Sequence, residues 1–68
     1  MDVNTQIGLR LKRARKNACF SQESVAKKLG VNQDTISRLE RGATAISAEQ
    51  LLTFSKFYGK PITFFYLD

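Results

Sequence analysis

The side chains of this chain best suited to specific chemistry cluster between positions 33 and 41: Gln33, Asp34, Thr35, Ser37, Arg38 and Arg41. They are hydrogen-bond donors and acceptors rather than nucleophiles or bases. At helical spacing they form an outward polar face, while Ile36 and Leu39, three apart, turn the other way. Such a face recognises a polar partner without transforming it. Composition excludes most catalysis. The chain has no histidine, so neither a Ser-His-Asp arrangement nor a His-based metal site can be built from it. Its single cysteine, Cys19, excludes thiolate clusters. It has no glycine-rich phosphate loop, and Glu23, Glu40, Glu49 and the three Asp show no paired-carboxylate spacing. The expectation is a non-enzyme with no metal, no cofactor and no small-molecule ligand.

Charge indicates the kind of partner. The formal net charge is +5 and the isoelectric point is near 9.8. Arg10, Lys12, Arg13, Arg15, Lys16, Lys27, Lys28, Arg38 and Arg41 all lie within residues 10–41, leaving Lys56 and Lys60 downstream. This asymmetry suits a nucleic-acid binder, and equally a solvated basic helix face. At 68 residues the chain is expected to be one domain, 1–68 with its core about 7–65, burying roughly 60% of its unfolded surface around one small core. One cysteine and no long apolar run fit a reducing, cytoplasmic location without a signal peptide or membrane span.

The elements that must position the polar face can be read from periodicity and caps. Ile7, Leu11, Ala14 and Ala18 make one stripe of a helix expected over about Thr5 to Asn17. Ser21 stands as N-cap to a helix over Gln22 to Leu29, with Phe20 placed to staple onto Val25. Gly30 ends that helix. Asn32 offers a cap to the next, Gln33 to Arg41, which Gly42 ends. Ser47 and Gln50 have capping-box spacing before a helix whose inner stripe is Leu51, Phe54, Ser55 and Tyr58. After Gly59, Pro61 opens a last element, Ile62 to Leu67, read as helical with Ile62 and Phe65 inward, although its composition is also β-prone. Val25, Ala26, Leu29, Val31, Ile36 and Leu39 are expected to fill the angle between the second and third helices.

Residues 22–41 resemble the helix-turn-helix of the phage repressor and Cro class, the XRE-like family. Ala26, Gly30, Val31, Ile36 and Leu39 stand at that family's offsets, with Ser21–Glu23 before them and Ile36–Gly42 reading ISRLERG. The resemblance extends over about Ile7 to Phe65 and implies an all-α, compact five-helix bundle. It implies that helix 33–41 lies in the major groove. Gln33 would then face adenine, Arg38 guanine and Asp34 a cytosine N4, with Thr35 and Ser37 at a thymine methyl or a phosphate. Phosphate contacts are expected from Gln22 and Arg41, with Arg10 as a third. Lys12, Arg13, Lys16, Lys27 and Lys28 are expected to serve solubility. The family pairs an arginine and a glutamate that match Arg15 and Glu40, implying a structural tie rather than a DNA contact. Cys19 departs from the pattern, standing where the family commonly has glycine. It is expected to fill space as a small apolar residue.

The run Phe64–Leu67 cannot turn entirely inward. Phe64 and Tyr66, joined by Phe57, are therefore expected to form a dimer interface. A homodimer would set two recognition helices on half-sites about 34 Å apart. The combined expectation is a sequence-specific regulator of a double-stranded DNA operator, a repressor by preference. An antitoxin or restriction–modification controller of the same fold, or a helical interaction module that does not bind DNA, are the alternatives.

Overall fold

A computed structural model describes residues 2–66. Five helices follow one another: α1 (Val3–Asn17), α2 (Gln22–Leu29), α3 (Gln33–Arg41), α4 (Ala48–Tyr58) and α5 (Thr63–Tyr66). The last element is thus helical where described; Leu67 lies outside the described residues. α1 is the hub. It packs on α3 and α5, and α3 packs in turn on α2.

Caps explain most boundaries. α1 begins two residues before the expected Thr5 because Asp2 accepts the Thr5 amide at 2.7 Å. Ser21 accepts the Ser24 amide at 3.0 Å and so opens α2. Ser47 and Gln50 close a reciprocal capping box before α4, at 3.0 and 2.9 Å. Asn32 has the extended backbone of an N-cap, but its side chain makes no capping bond to α3. The first turn of α3 instead takes the Asn32 carbonyl, which accepts the Thr35 amide at 3.0 Å. Gly30 turns the chain between α2 and α3 with φ of 71°, a left-handed conformation open to glycine at little cost.

The core is Ile7, Leu11, Ala14, Val25, Ala26, Ile36, Leu39, Phe54 and Phe65. Two expectations about packing change, those for Val31 and Cys19. Val31 is 41% exposed and does not plug the interhelical angle, because the left-handed turn at Gly30 carries it to the rim. Phe20 packs against the core that includes Val25 and also meets Phe57 of α4 at a tilt, ring centroids 5.5 Å apart. Cys19 is exposed and fills nothing. It carries the left-handed turn itself, at φ 62°, so that the Phe20 amide can reach back to the Arg15 carbonyl.

The aromatic surface also differs from expectation. Phe57 is half-buried between Phe20 and Tyr58. Phe64 lies edge-on to Phe65 at 5.2 Å, with the Arg10 guanidinium and the Lys60 ammonium over its ring. Both residues are partly covered by their own chain, Phe64 in part by the two cations over its ring. Of the three expected interface residues only Tyr66 is exposed, at 43%.

Candidate nucleic-acid interface

α3 is short, and the sequence makes it strongly two-faced. Ile36, Leu39 and Glu40 are buried, while Gln33, Asp34, Arg38 and Arg41 are exposed. Thr35 and Ser37 are half-buried at the margins. Thr35 also lines an apolar cleft of about 180 Å³, with Val31, Ile36 and Leu39 on one wall and Phe54 of α4 on the other. Gln33 and Arg41 make no side-chain hydrogen bond to another described residue.

Asp34 and Arg38 are joined. The Arg38 Nε donates to Asp34 Oδ2 at 2.9 Å, one helical turn away, and both side chains are more than half exposed. The rule that opposite charges four apart on a helix meet would have found this pair; reading each residue separately for a base missed it.

A buried polar knot holds α3 in place. The Arg15 Nε donates to Glu40 Oε2 at 2.7 Å and Nη2 to Oε1 at 3.1 Å. The third donor, Nη1, reaches the Phe20 carbonyl at 3.0 Å. Arg15 is 8% and Glu40 6% exposed, so each charge depends on the other. Donating to the Glu40 carboxylate holds the Arg15 guanidinium above its ordinary range, against the opposing effect of burial. Gln22 joins this knot, its Nε2 donating to Glu40 Oε1 at 3.0 Å. One carboxamide hydrogen is spent there; an amide nitrogen carries two, so one remains for an outside acceptor at the start of α2.

The Arg10 Nη1 donates to the Phe64 carbonyl at 2.7 Å, which ties α1 to α5. That bond gives Arg10 a structural role; one of five guanidinium donors is spent on it.

Tyr58 sits near the knot. Burial first, and the Glu40 charge second, push its phenol from 10.0 up to about 12. The folded protein therefore keeps a proton that the unfolded chain releases near 10.0. The resulting stability is complete below that pH and is lost as pH rises toward about 12. The melting temperature should fall through this window more steeply for the wild-type chain than for Tyr58→Phe, measured by circular dichroism. Parallel curves would show that Tyr58 ionises alike in both states.

Among the described residues no group of His, Cys, Asp or Glu could hold a metal ion, and no helix is long and apolar enough to cross a membrane.

Comparison with known proteins shows the family and the fold. The profile of the helix-turn-helix family HTH_3 matches residues 11–65. An uncharacterised transcriptional regulator in the ATPase CF(0) region of Rhodospirillum rubrum is 33% identical over 66 residues, covering 97% of this chain and 61% of the relative. An uncharacterised HTH-type transcriptional regulator of Sinorhizobium medicae is 27% identical over the same length, covering 48% of that protein. The chain thus spans about half to three-fifths of the length of the curated relatives it matches. The crystal structure of the DNA-binding domain of BldD superimposes with a TM-score of 0.86 over 97% of this chain and 99% of that one, at 24% identity. That likeness supports the five-helix fold.

Proposed function

Since the chain belongs to the helix-turn-helix family HTH_3, we propose that it is a sequence-specific transcriptional regulator that lays α3 in the major groove of double-stranded DNA. The observation that carries this reading is the exposed face of α3, which bears Gln33, Asp34, Arg38 and Arg41, with Gln22 at the start of α2 bonded to Glu40 next to Arg41. Gln33 supplies a carboxamide suited to adenine, and Arg38 a guanidinium suited to guanine. Ser37 and Thr35 lie at the margins of this face, within reach of a thymine methyl or a phosphate. Gln22 and Arg41 grip the phosphates that flank it. The net charge of +5 draws the chain to any duplex, and counterion release makes that attraction salt-dependent.

The finer parts of the proposal concern regulation. The chain acts in the cytoplasm as a repressor by covering its operator, and it does so as a homodimer on two half-sites. Exposed Tyr66 supports the dimer; Phe57 and Phe64 do not. Selection of bound sites from a random duplex library tests the dimer, since a homodimer yields a palindromic consensus and a monomer a single half-site.

Base reading and phosphate contact separate in mutants. Arg38→Ala should relax preference at one base pair, by about 1–3 kcal/mol. Arg41→Ala should weaken all duplexes alike and lower the slope of log K against log salt by about 1. Equal losses on operator and scrambled duplex from both variants would remove Arg38 from the reading face. No binding to any duplex at low salt would overturn the function and favour an interaction module.

A further inference from the structure

Asp34 is out of place on a surface meant for DNA, since a carboxylate repels phosphate. Its geometry offers a use for it. Asp34 Oδ2 takes the Nε–H of Arg38 at 2.9 Å, and both side chains remain solvent-accessible, 66% and 56% exposed. A guanidinium has five donors in one rigid plane. With Nε occupied, the two terminal amino groups are left, side by side at the outer end of the fork. A guanine offers two acceptors, O6 and N7, at its major-groove edge. In water the pair contributes little. Once a groove excludes solvent, the same contact strengthens as the local dielectric falls.

We propose that Asp34 is a positioning residue and not a base reader: it holds Arg38 by Nε so that the terminal amino groups meet guanine end-on, and it withholds the Arg38 charge from the phosphates. The inference rests on the reading of α3 as the groove helix and deepens it. It makes the acid of the reading face a source of selectivity. Without Asp34, Arg38 would swing among neighbouring phosphates and bind any sequence.

The test uses Asp34→Ala, Arg38→Ala, their double variant and Asp34→Asn, each titrated against the selected operator and a scrambled duplex over a range of salt. Thermal melts confirm that each variant is folded, as expected for exposed positions. Asp34→Ala should raise affinity for the scrambled duplex and steepen its salt dependence. It should also lower the operator-to-scrambled ratio by about tenfold, within the usual worth of one bidentate base contact. The base pair it relaxes should be the one Arg38→Ala relaxes, and the double variant should show no further loss there. Asp34→Asn retains an oxygen acceptor for Nε without the charge. It should keep the base preference and share only the gain on scrambled duplex. The proposal is overturned if Asp34→Ala relaxes a different base pair, if its effect persists in the Arg38→Ala background, or if the ratio does not change. Each of those results leaves DNA reading by α3 intact. A wild-type chain with no operator preference overturns that reading and this inference together.

Discussion

Gly8→Ala is expected to remove a large part of the stability of this fold and to lower its melting temperature. Gly8 lies where α1 crosses α3. A Cβ built on it would stand 2.5 Å from the carbonyl oxygens of both Leu39 and Glu40, and 2.8 Å from the Glu40 carbonyl carbon. These are backbone atoms of a helix and cannot rotate away. Relief requires the two helices to part by roughly 1 Å, against an interior packed like a crystal. That separation loosens Ile7 and Leu11 of α1 from Ile36 and Leu39 of α3, four members of the one core. Overpacking typically costs about 1–3 kcal/mol and sometimes more, and rigid backbone on both sides places this site at or above the upper end. Alanine returns about 1 kcal/mol of helix propensity, which does not offset the clash. A domain of this size has a total stability of about 3–10 kcal/mol, so the loss takes much of it. Thermal melts followed by circular dichroism decide the matter. An unchanged or raised melting temperature would mean that α1 can slide along α3 freely.

Glu40→Ala should be of comparable severity for a different reason. Glu40 is 6% exposed and accepts from Arg15 twice and from Gln22 once. Its removal leaves the Arg15 guanidinium, 8% exposed, with only the Phe20 carbonyl as partner. Breaking one side of a buried pair costs about 3–5 kcal/mol, most of it the burial of an uncompensated charge. The paired change Arg15→Met with Glu40→Leu should recover much of that loss, because apolar replacements of similar volume remove both charges together. Denaturant titration measures both variants. If Glu40→Ala kept the wild-type midpoint, the knot would contribute nothing to stability. The paired variant carries a second expected result. It frees the Gln22 carboxamide from Glu40 and should weaken binding to all duplexes alike while the fold survives.

The outline of the fold was legible because its signals are local. Ser21 and Ser47 sit one residue before their helices, and Gly30 and Gly42 one residue after theirs; each acts on amides or carbonyls within a single turn. The inward stripe of α1 through Ile7, Leu11 and Ala14 follows from helical pitch alone, as does the separation of Ile36 and Leu39 from the polar face of α3. The tie between Arg15 and Glu40 was available only by resemblance, since nothing local joins residues twenty-five apart. The pairing of Asp34 with Arg38 was local, and the four-residue rule would have found it.

The amino-acid sequence by itself determined the first four helices, the caps at Ser21 and Ser47, the polar face from Gln33 to Arg41 and the positive charge around it, because each depends on neighbours within about one helical turn. Only the tertiary structure decided that Arg10 serves the Phe64 carbonyl, fifty-four residues away, that Phe57 and Phe64 are half-buried by their own chain, that Val31 sits at the rim, and that Gly8 is a point where two backbones touch. Those outcomes depend on the docking of α1 against α3 and α5, and a docking angle is set by the summed packing of side chains from distant segments, which no local window contains.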